Sequence, residues 1–153
     1  MSEAHVDQDP IENVLYAATD EERRMFRVYF YEGKIYDSSG HLFSSPRYLC
    51  HFVMDGSGNF YIVPYVRYSQ LNGFLLRHST PLGGRPVAAA GDVSIVGGEL
   101  LDLDNQSGHY PTEPGYLMQA VSRLRDLGVD LSRTRIRDCF GRPLCEFSPG
   151  TRD

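Results

Sequence analysis

Apolar and polar residues alternate at two distinct periods along this chain, and the change of period marks its elements. From Met25 the period is two: Phe26, Val28 and Phe30 alternate with Arg27, Tyr29 and Tyr31, as in a strand with one buried face. Gly33 and Ser38-Ser39-Gly40 punctuate further short strands around Ile35-Tyr36 and His41-Leu42-Phe43. A hairpin is predicted over Tyr48 to Met54 and Asn59 to Val66, joined by Asp55-Gly56-Ser57-Gly58. A second runs from Arg85 to Val96, turns at Gly97-Gly98 and returns over Glu99 to Asp104. A final strand pair, Arg135 to Phe140 and Pro143 to Phe147, turns at Gly141-Arg142.

Helical spacing occurs twice. Asp9-Pro10-Ile11-Glu12 combines a capping Asp, a proline at the first helical position and a Glu three residues after the cap, which predicts a short helix to about Ala18. The charged stretch Asp20 to Arg24 follows it. The main amphipathic helix begins near Thr112 and carries Leu117, Ala120, Val121, Leu124 and Leu127 on one face, with Gly128 as its left-handed stop. The expected fold is α+β and strand-dominated: an antiparallel sheet of hairpins, whole or split, with one main amphipathic helix and a short N-terminal helix. At 153 residues the chain reads as a single domain, 1–153, frayed at 1–8 and 149–153.

Charge and cysteine content narrow the function classes. Fifteen Lys and Arg against twenty Asp and Glu give a formal charge of −5, which weakens a nucleic-acid reading. Arg123, Arg125, Arg133, Arg135 and Arg137 still allow a local basic face, or simply a solvated helix and strand surface. No apolar run reaches the ~18 residues of a membrane span, and the acidic start at Met1 to Pro10 lacks the layout of a secretory signal. The expectation is a soluble protein, cytoplasmic or delivered into a target cell by a specialised secretion system, with no membrane partner. Cys50, Cys139 and Cys145 lack metal spacing and suit a reducing interior, so no metal is expected. Cys50 and His51 are neighbours in a strand and face opposite ways, which rules them out as a nucleophile–base pair.

Candidate chemistry concentrates between Arg77 and Pro111. His78-Ser79-Thr80 leaves an apolar strand, Phe74-Leu75-Leu76, and Ser107-Gly108-His109-Tyr110 enters the main helix. The hairpin between them would bring the two clusters together. Each offers an imidazole and hydroxyls, groups that donate, accept and exchange protons near neutral pH. Asp92, Glu99, Asp102 and Asp104 lie on that hairpin. Glu146, among Leu144, Cys145 and Phe147, is either a desolvated base or the outward residue of an edge strand. The paired glycines at 83–84 and 97–98 have neither the spacing nor the strand-to-helix setting of a phosphate loop and read as turns.

The series His78-Ser79-Thr80, Leu82, Gly84, Val87, Ala90-Gly91-Asp92-Val93 and Ser107 to Tyr110 resembles a module found in bacterial toxin and effector domains and in plant IQ-motif calmodulin-binding proteins. The resemblance spans about Tyr48 to Val129. The chain departs from it in two ways. It carries no IQ motif, so calmodulin is not an implied partner, and Pro111 directly follows Tyr110, which shifts the helix entry.

A looser resemblance, through the order His78, Tyr110 and Glu146, is to mono-ADP-ribosyltransferase toxins, whose fold is a split sheet with few helices. That resemblance implies NAD as substrate, with His78 contacting the nicotinamide ribose and Tyr110 stacking on nicotinamide. Glu146 would orient the ribose and stabilise its developing positive charge. Ser79, Thr80, Ser107 and His109 are the accompanying cofactor-binding residues. The function expected is ADP-ribosyl transfer to a macromolecular acceptor (protein or RNA), or NAD hydrolysis, with room for an immunity protein as a second partner. Two alternatives stand beside it: a non-catalytic protein-binding module, and a metal-independent nuclease or RNA-modifying enzyme using His78 and His109.

Overall fold

Strand alternation and one amphipathic helix assemble into a sheet with a helix across one face. The computed structural model describes residues 17, 19–45, 50–63, 80–105 and 114–137. Its strands are β1 (Tyr29–Tyr31), β2 (Lys34–Tyr36), β3 (Cys50–Met54), β4 (Phe60–Val63), β5 (Ala89–Val96), β6 (Glu99–Leu103) and β7 (Arg135–Ile136). Its helices are α1 (Asp20–Arg24) and α2 (Pro114–Asp126). Strands dominate, and the class is α+β as the patterning predicts. β1 and β2 form a two-stranded sheet, and the other five lie in the order β4-β3-β5-β6-β7.

Both predicted hairpins form. Phe52 pairs with Ile62 across the β3–β4 turn, and Val93 pairs with Leu103 across the β5–β6 turn. At that second turn Gly97 and Gly98 hold φ of 57° and 79°, a region that disfavours side chains. The β5–β6 register slips between Ser94 and Ile95, so β6 carries one extra residue and the pair twists locally. β7 departs from the antiparallel expectation: Asp102 and Leu103 pair in parallel with Arg135 and Ile136. Parallel neighbours need a crossover long enough to return the chain, and α2 lies in the segment between them.

The core sits between the sheet and α2. Phe52, Met54, Phe60, Ile62, Val93, Ile95 and Leu103 bury against Leu117, Ala120, Val121 and Leu124. Leu127 is partly buried at its margin, and Gly128 ends the helix at φ 80°. Two polar anchors fix the helix in place: Gln119 Nε2 donates to the Ala88 carbonyl at 2.7 Å, and Arg123 Nε to the Gly58 carbonyl at 3.1 Å.

The N-terminal region differs from the pattern in two respects. The stretch Asp20 to Arg24, read only as charged, is helical, because Thr19 Oγ1 accepts from the Glu22 amide at 3.1 Å and donates to Glu22 Oε1 at 3.2 Å. The cap satisfies the Glu22 amide, one of the first-turn donors that a helix otherwise leaves open, and the side-chain bond to Glu22 holds the Thr19 hydroxyl in place. The helix expected over Asp9 to Ala18 lies outside the described residues except for Ala17, which is buried. The strand expected from Phe26 to Tyr31 divides. Arg27 bridges to Tyr61 at the β4 edge, while Tyr29–Tyr31 leaves to pair with β2. The frayed tips and the pairing with 143–147 also lie outside the described residues.

Candidate functional site on the second face of the sheet

Side chains alternate across a strand, so each strand that buries one residue under α2 presents the next to the opposite face. On β3 this places Cys50, Phe52 and Met54 in the core, with His51 and Val53 on the second face. Cys50 is fully buried, so it and His51 are separated by the sheet itself.

The second face has an apolar half and a polar half. Val53, Tyr61 and Ala90 lie in one row across three strands and are covered by Leu82 and Val87, with Phe26 at the edge. Burial pushes the Tyr61 phenol above its usual value of 10.0, and the nearby Asp55 carboxylate adds to the effect. The segment bearing Leu82 is held by backbone bonds: the Thr80 carbonyl accepts from the amides of Ala17 at 2.8 Å and Gly83 at 3.3 Å.

One step along the strands the face becomes polar. His51 lies opposite Asp92, and its Nδ1 is 2.7 Å from Asp92 Oδ1. The two side chains are 24% and 14% exposed, enough to keep contact with solvent while much of each is sheltered. Asp104 Oδ1 accepts from the Asp92 amide at 2.9 Å, and the Asp104 amide donates to the Asp92 carbonyl at 3.0 Å. The sequence accommodates this closeness through Gly91. A Cβ there would overlap the Asp104 carbonyl oxygen and lie 2.9 Å from the Asn105 Cα.

Beyond Asp104 a cleft of about 300 Å³ opens along β6 and β7, lined by Asp102, Leu103, Asp104, Arg135 and Arg137. Arg135 grips Asp102 with two nitrogens, Nε to Oδ1 at 2.8 Å and Nη2 to Oδ2 at 3.0 Å. Arg137 follows β7, where its amide donates to the Leu103 carbonyl at 3.0 Å, and among the described residues its guanidinium has no carboxylate partner. Two carboxylates, two guanidinium groups and an imidazole–carboxylate pair thus share one half of one sheet face. Among the described residues, no three His, Cys, Asp or Glu side chains gather as metal ligands would. No helix among those residues is long and apolar enough to cross a membrane.

Of the residues singled out from the sequence, Thr80 is described: it is buried at the head of the segment that covers the apolar half. His78, Ser79, Ser107, His109, Tyr110 and Glu146 lie outside the described residues. The hairpin expected to draw the two clusters together is present, and it brings Asp104 and Asn105 against Gly91 and Asp92. Asn105, two positions before Ser107, is buried.

His51 enters the sequence reading only as a partner for Cys50. Its signal is a lone imidazole in the strand Cys-His-Phe-Val-Met, matched by a lone Asp in Ala-Ala-Gly-Asp-Val-Ser-Ile-Val. Compared with protein-family models, curated proteins and solved structures, the chain matches none of them.

Proposed function

We propose that this chain is a toxin- or effector-type domain that cleaves NAD and passes ADP-ribose to a macromolecular acceptor or to water, working on the polar half of the second sheet face. The observation that carries the reading is the cleft beside Asp104, where carboxylates and guanidinium groups line one concave surface. Cleavage of NAD builds positive charge on the ribose while two phosphates stay negative. A site that sets Asp104 near Arg137 offers both complements, and fixed charges aimed at developing charge are the largest common source of catalysis.

The toxin resemblance supplies the remaining roles. His78 and Tyr110 hold the nicotinamide end, Glu146 stabilises the ribose cation, and Ser79, Thr80, Ser107 and His109 bind along the cofactor. Chain connectivity supports this arrangement, since Thr80 begins the segment that packs on the second face and Asn105, two positions before Ser107, is buried beside Gly91. The split sheet of the transferase toxins, an immunity protein as partner and delivery into a target cell belong to the same proposal.

A second reading, a binding module without chemistry, is favoured by one observation. Asp104 spends a carboxylate oxygen on the Asp92 amide, and Thr80 spends its carbonyl on two backbone amides, as locking elements do. Titrating the purified chain with NAD and following released nicotinamide separates the two. Saturable binding with nicotinamide release, lost in Glu146→Ala and His78→Ala, supports the enzyme. No binding at millimolar NAD overturns it and leaves the binding module. Cleavage of RNA without nicotinamide release points to the nuclease alternative.

A further inference from the structure

We infer that Arg27 and Arg123 form a binding site for a small organic anion, a phosphate or carboxylate group on an apolar body, at the β4 edge of the sheet. A pocket of about 200 Å³ opens there, lined by both arginines and by Phe30, Phe60 and Leu127. Among the described residues no Asp or Glu lines it, and neither guanidinium makes an ion pair. Two positive charges thus face one concavity in a chain whose formal charge is −5. Each is held by a neutral acceptor instead. Arg123 Nε donates to the Gly58 carbonyl at 3.1 Å, and Gly58 makes room for it, since a Cβ there would lie 2.6 Å from that nitrogen. Arg27 Nη2 donates to Asn59 Oδ1 at 2.8 Å, while Asp55 Oδ2 holds the Asn59 amide nitrogen at 3.1 Å. Arg27 Nε is buried and has no acceptor.

A buried donor without a partner is costly, the more so on a charged side chain, and a second cation beside it adds repulsion. An anion in the pocket offsets both. The Nε bond of Arg123 leaves its two Nη nitrogens to donate, and Arg27 keeps Nη1. Guanidinium forks of this kind match the paired oxygens of a phosphate or carboxylate. Phe30 and Phe60, edge to face at 5.5 Å, give the rest of the ligand an apolar wall. The pocket is smaller than the ~300–1,000 Å³ of drug-sized sites, so a single-ring ligand fits and a dinucleotide does not. It shares no lining residue with the cleft of Arg135 and Arg137, and the inference stands independently of NAD cleavage.

Backbone amide and arginine Nε–Hε shifts of the labelled full chain test this, with phenyl phosphate, benzoate, inorganic phosphate and, as an uncharged control, benzyl alcohol. Phenyl phosphate or benzoate is expected to give saturable shifts at Arg27, Gly58, Asn59 and Arg123 that weaken as salt is added. Inorganic phosphate should bind less tightly, and benzyl alcohol should leave those signals in place. Arg27→Gln, confirmed folded by circular dichroism, is expected to weaken binding by about 10- to 100-fold, the loss of one charged donor. The absence of saturable shifts with either organic anion overturns the proposal, as does equal binding of benzyl alcohol. Inorganic phosphate bound as tightly as phenyl phosphate overturns the assignment to an organic ligand. Unchanged affinity in Arg27→Gln, or shifts gathered at Arg135 and Arg137 instead, places the anion elsewhere and overturns it too. Should Arg27→Gln fail to fold, the wild-type shift map with its salt dependence decides.

Discussion

Beneath α2, the five-stranded sheet presents Phe52, Met54, Phe60, Ile62, Ile95 and Leu103, all buried and all apolar. Its opposite face, built by the intervening residues of the same strands, presents Val53, Tyr61 and Ala90 and then His51, Asp92 and Asp104. The first face closes against a single helix and stabilises the fold through area removed from water. The second is half covered by the segment from Thr80 to Val87 and half given to charges that satisfy one another. A charged row of this kind adds little net stability, since desolvation offsets most of the Coulomb attraction.

Substitutions on the two faces sharpen this contrast. Phe52→Ala removes a large side chain from the centre of the covered face, and chemical denaturation is expected to show a loss of about 3–5 kcal/mol. Gly91→Ala comes next. The new methyl group meets the Asp104 backbone, so β6 must shift, at a cost of about 1–3 kcal/mol by denaturation. The same variant should also disturb the hydrogen bonds between Asp92 and Asp104, visible as amide exchange at those residues. A Gly91→Ala protein as stable as wild type would contradict the close approach on which the polar half is built.

Smaller effects come from titration and from the surface. Folding raises the Tyr61 phenol above its unfolded value of about 10, so the folded state holds that proton more tightly. The corresponding stability is fully present below that pH and is lost as pH rises through the folded value. Melting temperatures followed from about pH 9 to 11 should fall less steeply for Tyr61→Phe than for wild type. Arg133→Ala is expected to matter least. Its ion pair with Glu99 is exposed, and such pairs contribute about 1 kcal/mol or less.

Local rules carried much of the fold. The β3–β4 and β5–β6 hairpins follow from their glycine turns and flanking alternation, and α2 follows from the spacing of Leu117, Ala120, Val121 and Leu124. The α1 cap was also legible, since Thr19 and Glu22 have the spacing of a reciprocal cap; the density of charge over Asp20 to Arg24 hid it. The parallel pairing of β7 with β6 was not legible, because a strand's neighbour across a crossover is not set by its own residues. His51–Asp92 was illegible for a related reason. The two residues stand 41 positions apart, and only the pairing of β3 with β5 makes them adjacent. Polar residues on the hairpin were visible as candidates, while their partner from a sequence-distant strand was not.

Amide shift mapping of the isotope-labelled chain during titration with NAD tests the central claim most directly. The account predicts saturable shifts concentrated at His51, Asp92, Asp104 and Arg137, accompanied by growing signals of free nicotinamide. Shifts confined to the open groove of Tyr29, Tyr31 and Tyr36, or no shifts at millimolar NAD, would contradict it.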